Sequence, residues 1–330
     1  MTIGLIYDLH QSYPWRPGDP PDADAEYEPI ETVEALEQAI GALGHDTLRI
    51  GTPRDLLLRG PRGIDAAVNI AEGAWTRNRE GWAPTLLEMW GIPYLGSDAL
   101  ALSLSLDKVY TKELAAAAGL HTPAFASFEA GQEVVAPAGY PLFVKPRLEG
   151  TAKGIRPSSV VHNLAELEAE VAFVTREYGQ AALVEAFIVG GGEYTVAVVG
   201  NPPRALPMLQ RAVDQGTRIG SHALERFGDR AWALEGTMDP GLESLMQRQS
   251  LAVFEKLGCR DFARIDFRVD ADGIAWFLEI NPLPTFAPDG TFAVMAELMG
   301  QSYPEFLSDL LREALERALS ERQPSYTDHA

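Results

Sequence analysis

The chain has 330 residues, 46% of them hydrophobic, and its 47 acidic against 27 basic residues give a formal net charge of −20. This length allows two or three domains with a large core, and no apolar run reaches the roughly 18 residues of a membrane-spanning helix. The acidic balance argues against nucleic-acid binding, which needs a basic footprint, and the single cysteine, Cys259, excludes an internal disulfide and is typical of a reducing compartment.

The first hundred residues alternate between predicted strands and helices. Apolar helical spacing covers Ile30–Leu43 and ends at Gly44, a second helix contains Pro84–Trp90, and the Pro- and Asp-rich segment Tyr13–Pro29 is a loop. Strands are predicted at Ile3–Tyr7, Asp46–Ile50 and Ala66–Ile70. This order predicts a Rossmann-like parallel sheet covered by helices. Because the N-terminus predicts a first strand rather than a signal peptide, we expect a cytoplasmic protein.

The later elements follow from apolar periodicity and from β-rich runs. An alanine-rich helix is predicted over Leu106–Leu120, and a long irregular stretch, Gln210–Thr237, precedes a helix over residues 239–258. Further helices are predicted at Leu164–Tyr178 and Phe306–Leu319, and strands at Phe143–Pro146, Ala182–Glu185 and Tyr194–Val199. Residues 321–330 are predicted to form a frayed tail.

A lysine and a glycine-bracketed loop form the first candidate anion site. Lys145 lies inside the apolar β-run Phe143–Pro146, where a buried amine needs an acidic partner or an anion. The loop Gly150–Gly154 holds small residues, one hydroxyl and Lys153, and such loops let backbone N–H groups approach phosphate. The alternatives are an edge-strand lysine directed at water and an ordinary glycine turn, since the loop is not a Walker A sequence.

A second candidate follows the strand that ends at Glu185. The segment after it is apolar and extends through Phe187 and Ile188 to three glycines and Glu193. Its backbone could offer donors and acceptors to an adenine edge, and Glu193 could accept hydrogen bonds from ribose hydroxyls. A simple interdomain hinge is the alternative.

The segment Asp261–Asn281 predicts a β-hairpin around the turn Asp270–Gly273, with Val269 opposite Ile274. Strand alternation then gives the hairpin one apolar face. Its members are Ala263, Ile265, Phe267, Val269, Trp276, Leu278 and Ile280. We expect this face to belong to the core.

The other face of the hairpin collects Arg264, Asp266, Glu279 and Asn281, with Arg264 directly opposite Glu279 and Asp266 diagonal to it. Two carboxylates and an amide oxygen suit a hard cation such as Mg²⁺, and an arginine suits phosphate oxygens or a developing oxyanion. A solvated face with a cross-strand Arg–Glu pair is the alternative. The stiff exit Asn281–Pro284 favours a positioned ligand.

These motifs occur together and in a fixed order. The set is Asn69–Gly73, Gly91–Ser97, Leu106–Lys108, Phe143–Pro146, Gly150–Gly154, Val184–Phe187, Ala263–Phe267 and Leu278–Pro282. In this order the chain resembles the ATP-grasp superfamily and, within it, the D-alanine–D-alanine ligase group. The resemblance implies an α/β (α+β) fold of three domains, with ATP between the second and third. The implied boundaries are an N-terminal α/β domain at 1–104, a central ATP-grasp subdomain at 105–188, a C-terminal ATP-grasp subdomain with the metal site at 189–320, and a flexible tail at 321–330.

The resemblance also implies roles for individual residues. Lys108 and Lys145 would contact the phosphates of ATP, and Glu193 its ribose. The residues implied to frame the adenine are Glu185, Phe187 and Ile188. The implied metal ligands are Asp266, Glu279 and Asn281, holding two Mg²⁺ ions, with Mn²⁺ as an alternative. The implied catalytic residues are Arg264, which stabilises charge on the transferred phosphate, and Thr151 and Lys153 of the loop that closes over the phosphates.

The chain departs from the family pattern where the substrates bind. A long acidic loop containing Glu26 and Glu28 replaces the usual segment after the first strand, and either residue could hold a substrate ammonium. Glu72 stands where a histidine is usual. The usual mobile-loop lysine is missing from residues 210–237, which offer Arg211, Arg218, His222 and Arg226 instead. Of these, Arg218 or Arg226 could supply the cation.

The segment after the hairpin departs as well. Thr285 stands where the family has glycine, and Gly290 stands where it has a serine that meets the acceptor carboxylate. Thr291 could substitute for that serine.

The resemblance implies an ATP-dependent carboxylate–amine ligase that forms an amide bond through an acyl phosphate. We expect amino acids or similar small molecules as substrates, no nucleic-acid or membrane partner, and a homodimer, as in related ligases. Two alternatives are a related ligase that joins an amino acid to another small-molecule scaffold, and a catalytically silent nucleotide-binding paralogue.

Overall fold

The computed structural model describes residues 1–220, 232–234, 236 and 238–321. The α-helices are Ile30–Ala42, Pro53–Arg59, Trp82–Trp90, Ala99–Leu106, Lys108–Ala117, Leu164–Glu177, Pro240–Leu257, Thr291–Leu298 and Tyr303–Ser320. Within these described ranges, no helix is both long enough and apolar enough to cross a membrane.

Fifteen strands are described, and they are labelled in chain order. They are β1 (Thr2–Tyr7), β2 (Asp46–Gly51), β3 (Ala66–Ile70), β4 (Tyr94–Leu95), β5 (Phe125–Phe128), β6 (Leu142–Pro146), β7 (Val160–Val161), β8 (Ala182–Ala186), β9 (Gly192–Val199), β10 (Arg204–Ala205), β11 (Leu209–Arg211), β12 (Val213–Asp214), β13 (Trp232–Ala233), β14 (Phe262–Val269) and β15 (Ala275–Asn281).

The first hundred residues form the predicted parallel sheet, with strand order β2-β1-β3-β4. One face of it is covered by Ile30–Ala42 together with the last helix, Tyr303–Ser320, which returns from the far end of the chain. Buried members of this shared core include Ile3, Leu5, Val33, Leu36, Leu310 and Leu311. The apolar spacing of the two helices explains their burial, because each presents one stripe to the sheet.

Two antiparallel sheets follow. One has the order β5-β8-β6-β7, and Leu164–Glu177 packs on it. The other has the order β10-β9-β14-β15, with β11 also paired to β9, and Pro240–Leu257 packs on it. The α/β fold class predicted from the sequence is therefore confirmed.

The predicted helix Leu106–Leu120 is shorter in the structure, Lys108–Ala117, and Asp107 separates it from a preceding helix, Ala99–Leu106, that the sequence does not predict. The Asp107 carboxylate accepts a hydrogen bond from the backbone N–H of Val109 and so caps the second helix. It also accepts two hydrogen bonds from Arg147, at 2.7 and 2.8 Å. The apolar spacing continues through the break, so the sequence pattern conceals a turn that a distant arginine stabilises.

The hairpin of β14 and β15 has a longer loop than the sequence predicts. Val269 lies opposite Ala275 rather than Ile274. The connecting loop has five residues, and the Asp270 carboxylate closes it by accepting hydrogen bonds from the backbone N–H groups of Asp272 and Ile274. The predicted pairing at the turn is therefore wrong by one residue.

A second irregularity lies in the middle of the hairpin. The register shifts between Asp266 and Phe267, which adds one residue to the β15 side. Asp266 therefore lies directly opposite Glu279, and Arg264 lies opposite Asn281 instead of Glu279 as predicted. The four polar side chains still share one region, but with different partners.

The bulge also changes which side chains enter the core. Phe277 and Ala275 are buried, whereas Trp276 and Leu278, predicted on the apolar face, lie outside the core. Trp276 donates a hydrogen bond from Nε1 to Asp270 at 2.8 Å, and Leu278 lines the cavity described below. The other predicted members of the face, Ala263, Ile265, Phe267, Val269 and Ile280, are buried.

A buried arginine joins the last helix to both the first and third sheets. Arg317 donates hydrogen bonds to the Asp261 carboxylate at 2.6 and 2.8 Å and to the backbone carbonyl of Tyr94 at 3.0 Å. Asp261 also accepts from the backbone N–H of Gly96 at 2.8 Å. This network fixes β4 against the start of β14.

Candidate active site

A cavity of about 390 Å³ lies between the two antiparallel sheets. Eleven of the twelve predicted site residues line it: Lys108, Lys145, Thr151, Lys153, Glu185, Phe187, Ile188, Glu193, Arg264, Asp266 and Glu279. The twelfth, Asn281, lines a small adjoining cavity that also touches Lys108, Thr151 and Glu279. The structure therefore brings the predicted residues together from seven separate segments of the chain.

At one end of the cavity, Glu185 lies between two buried lysines. Its carboxylate is 2.8 Å from the Nζ of Lys145 and 2.6 Å from the Nζ of Lys112, a fully buried side chain. Burial alone would raise the pKa of Glu185, but Lys112 and Lys145 outweigh it and hold this pKa at about 2. Lys145 thus has the acidic partner that its buried β-run requires, and the three groups keep a fixed charge pattern.

An aromatic slot lies beside this charged group. The rings of Phe143 and Phe187 stack with centroids 5.9 Å apart, and Arg268 lies 4.8 Å from the Phe187 centroid. Arg268 is also 3.5 Å from Glu193, on the strand that follows. An apolar slot with a carboxylate at its edge suits a flat base followed by a sugar.

The polar face of the hairpin forms the opposite wall. Arg264 donates to Asp266 at 3.0 Å, and Lys108 lies 3.4 Å from Glu279. Burial raises the pKa of Glu279, but the charges of Lys108, Lys145 and Arg264 dominate and lower it to about 2. Glu279 is therefore ionised at any ordinary pH, as a metal ligand must be.

The loop Gly150–Gly154 is held by two carboxylates of the loop Tyr13–Pro29. The backbone N–H of Gly150 donates to Glu26 at 2.6 Å, and that of Gly154 donates to Asp22 at 2.8 Å. Tyr178 donates to the same Asp22 carboxylate at 2.9 Å. We call this set of contacts the acidic clasp.

The conformation of the clasped loop is tightly specified. Thr151 has a left-handed φ of +48°, and Gly154 has a φ of +77°. A Cβ added at Gly154 would lie 2.5 Å from Pro146, so this position accepts only glycine. Lys153 lies 2.8 Å from Glu149 and 3.3 Å from Glu26. The loop therefore lies over the cavity with its lysine already paired.

Buried carboxyl groups surround the small adjoining cavity. Burial raises the pKa of Glu26, but Arg79 at 2.6 Å and Lys153 outweigh it and hold this pKa at about 2. Burial raises the pKa of Glu80 to about 7 and moves that of Glu72 well above its usual range. Two acids with raised pKa values thus lie beside one whose pKa is lowered.

The two candidate ammonium ligands of the long acidic loop have different surroundings. Glu26 takes part in the clasp, as described above. Glu28 accepts hydrogen bonds from Thr32 at 2.8 Å and from Thr285 at 2.9 Å. Thr285 and Thr291 both line the main cavity, so the segment that departs from the family pattern does face the site.

Sequence reasoning missed three residues that organise the site. They are Asp22, Arg79 and Lys112. Lys112 lies four residues after Lys108, on the same helix face, and that spacing is the one signal that could have identified it. Of the cations considered for the missing mobile-loop lysine, His222 and Arg226 lie outside the described residues. Arg218 is described but does not line the cavity, whereas Arg211 does.

Comparison with known protein families adds evidence that is independent of the geometry. A family model described as D-ala D-ala ligase C-terminus matches residues 114–312, more than half of the chain. The chain is 33% identical over 287 residues to a D-alanine–D-alanine ligase of Syntrophotalea carbinolica, covering 86% of this chain and 90% of that protein. It is 30% identical over 333 residues to the uncharacterized protein y4sG of Sinorhizobium fredii, covering 95% and 94%.

Solved structures show the same architecture. The D-alanine–D-alanine ligase from Bacillus anthracis complexed with ATP matches with a TM-score of 0.74 at 22% identity, covering 97% of this chain and 99% of that one. The VanG D-Ala:D-Ser ligase from Enterococcus faecalis matches with a TM-score of 0.73 at 19% identity, covering 95% and 99%. At these identities the likeness establishes the fold.

Proposed function

Because this chain belongs to the D-alanine–D-alanine ligase family and is an ATP-dependent ligase that forms carbon–nitrogen bonds, we propose that it joins the carboxylate of one amino acid to the amine of a second substrate. D-alanine is the first candidate for the donor, as the names of the relatives suggest. The observation that carries the proposal is the cavity, where an aromatic slot, six cationic side chains and the hairpin carboxylates adjoin one another. ATP provides the phosphoryl group, and the products are the amide, ADP and phosphate.

In this proposal the side chains act by position and charge. Lys108 and Lys145 neutralise the phosphates, and Arg264 stabilises the charge that develops on the phosphoryl group as the donor carboxylate attacks. The attack forms an acyl phosphate and releases ADP. The amine then adds to the acyl carbon, and phosphate leaves. The clasped loop Gly150–Gly154 shields the reacting groups from water.

The hairpin residues fit a pair of Mg²⁺ ions. No group of three or more His, Cys, Asp or Glu side chains suited to a metal occurs in the described part of the chain, so the amide of Asn281 would complete the set formed by Asp266 and Glu279. The low pKa of Glu279 keeps one ligand ionised, and hard oxygen donors suit Mg²⁺. When bound, the ions would neutralise charge on the phosphates and align them.

A condensation assay tests the proposal. ADP release is measured with D- and L-amino acids, singly and in pairs, and the products are identified by mass spectrometry. We expect one pair to give both ADP and a condensed product. ADP release without any condensed product, across all pairs, would exclude the ligase reaction on amino acids.

Removal of a hairpin carboxylate tests the site itself. Glu279→Ala deletes a predicted metal ligand and leaves Lys108 without its acidic neighbour, so we expect ATP turnover to fall by about a thousandfold or more. The exposed turn residue of the same hairpin, in Asp272→Ala, provides the matched control and should retain activity. Full turnover in Glu279→Ala would refute the metal assignment.

A second candidate keeps the chemistry and changes the acceptor. Thr285 lines the cavity and already donates its hydroxyl to Glu28, and it stands where the family has glycine. A ligase that joins an amino acid to another small-molecule scaffold would place its acceptor against this wall. The two readings separate in the condensation assay, because D-alanine alone would then support no turnover. A catalytically silent paralogue is disfavoured by the complete hairpin set.

A further inference from the structure

Arg211 is a largely buried arginine at the cavity wall, and it is one of the cations that the sequence offers where the usual mobile-loop lysine is missing. It lies at the end of β11, paired through its backbone with Glu193 of β9. Its side chain is only 10% exposed and lines the main cavity. Its position is therefore set by regular strand pairing rather than by an irregular loop.

Among the described residues, no hydrogen-bond acceptor lies at a normal distance from the guanidinium group of Arg211. The group carries five N–H donors, yet in this part of the chain it makes only two long ion pairs, each of 3.9 Å. One joins its Nε to Glu193 and the other joins its Nη1 to Asp266. Hydrogen bonds of this type are usually 2.7–3.2 Å long, so the donors at the cavity wall are available to a bound ligand.

Another arginine in the same cavity shows the contrast. Arg264 donates to Asp266 at 3.0 Å and so has a short contact within the protein. Arg211 instead points its donors into the space between Glu193 and Asp266. The group that would satisfy them is an anion from outside the protein.

The neighbours of Arg211 identify that anion. Glu193 adjoins the aromatic slot proposed for the base and sugar, and Asp266 belongs to the proposed metal set near the transferred phosphoryl group. The part of a nucleotide that spans these two positions is its polyphosphate. Arginine suits phosphate because its planar donors can contact two oxygens at once.

We propose that Arg211 binds the phosphate chain of the nucleotide between the ribose and the transferred phosphoryl group. This inference rests on the proposed function of the cavity. It assigns to strand β11 a cation that the sequence led us to expect from Arg218 or Arg226. Arg211 would fix the position of the nucleotide in the cavity, so that the terminal phosphoryl group lies beside Arg264.

Binding of adenine nucleotides by the full chain tests the proposal. Dissociation constants for ADP and for adenosine are measured by calorimetry with Mg²⁺ present. In Arg211→Gln we expect ADP to bind about 10- to 100-fold more weakly, the range for a lost charge-assisted hydrogen bond, and adenosine to bind as in the unchanged protein. Arg204→Gln, which removes a surface partner of Glu313, is the control and should change neither constant.

The conservative variant separates binding from a purely structural role. Arg211→Lys keeps the charge and should recover part of the ADP affinity, with unfolding temperatures of both variants measured alongside. Unchanged ADP affinity in Arg211→Gln would overturn the proposal, and so would an equal loss for adenosine. Neither measurement needs an amino acid, so a failure of the ligase reaction is recognised separately by the condensation assay.

Discussion

Lys112 is fully buried, and its ammonium lies 2.6 Å from the Glu185 carboxylate. A charge in that position is tolerated because the Glu185 carboxylate pairs with it. Burial lowers the pKa of Lys112, whereas Glu185 acts in the opposite direction. The group fixes the carboxylate proposed to face the adenine, so its stability and its binding role are connected.

We predict that Lys112→Met destabilises the protein by about 3–5 kcal/mol, the usual cost of removing one partner of a buried pair. Chemical denaturation followed by tryptophan fluorescence measures the free energy of unfolding. Arg49→Met breaks an exposed pair with Glu37 and should cost below about 1 kcal/mol. Similar losses in both variants would contradict the assignment of a buried ionic group.

The role of a single residue is predictable where a charged side chain lies inside an apolar segment, because its burial requires a partner of opposite charge. Lys145 stands inside an apolar strand, so its need for an acidic partner or an anion follows from the sequence, whereas the role of Glu185 is implied only by the family resemblance. Apart from its spacing from Lys108, nothing local separates Lys112 from a solvated lysine, and nothing local favours Arg211 over the other cations of its segment. Only the fold shows that these two side chains turn inward.

At the scale of elements, the acidic clasp links the first sheet's long loop to the loop over the cavity. Asp22 and Glu26 accept hydrogen bonds from the backbone N–H groups of Gly150 and Gly154, which a glycine loop would otherwise offer to phosphate. The arrangement makes the position of one loop depend on the other. Because two backbone N–H groups of the loop already donate hydrogen bonds, the loop loses little further conformational freedom when ATP binds.

We predict that Asp22→Ala loosens the clasp and raises the KM for ATP by about tenfold, because one charge-assisted hydrogen bond to the loop is lost. Limited trypsin digestion provides a second readout, since Lys153 precedes Gly154 and is largely buried in the clasped loop. Asp24→Ala, in the same acidic loop, removes only a 3.6 Å contact with His10 and serves as control. Equal cleavage and equal KM in all three proteins would refute the clasp.

Apolar periodicity predicts that the helices and strands exist, but it does not predict the helix break at Asp107 or the register of the hairpin. The break at Asp107 depends on Arg147, which lies 40 residues away. The shifted register of the hairpin depends on a bulge near Asp266 and on a five-residue loop. Alternation in a single strand contains no information about its partner's bulges, so the correct residues were grouped with the wrong cross-strand neighbours.

At the scale of the whole molecule, five buried carboxyl groups have pKa values shifted in two opposite directions. Glu26, Glu185 and Glu279 have pKa values lowered from 4.5 to about 2, since their cationic neighbours outweigh burial. Asp8 and Glu80 have pKa values raised by burial to about 6 and about 7. The first class contributes stability above pH 4.5 that is lost as the pH falls toward 2. The second class contributes stability at low pH that is lost as the pH rises toward 7.

We therefore predict that the free energy of unfolding is greatest in mildly acidic solution, near pH 4.5, and falls on both sides. The net charge of −20 adds self-repulsion at neutral pH in the same direction. Urea unfolding between pH 3 and pH 8 measures the profile, and Glu80→Gln should flatten its neutral side. Stability that rises steadily up to pH 8 would contradict the prediction.

The return of the last helix, Tyr303–Ser320, to the first sheet has a consequence for synthesis. A chain emerging from the ribosome completes β1 to β4 early, but the helix that covers one face of that sheet emerges about two hundred residues later. Until then Ile3, Leu5 and Val68 lack part of their covering. The first sheet therefore completes its core only after the last helix has been made, and until then its exposed apolar face is a site for aggregation.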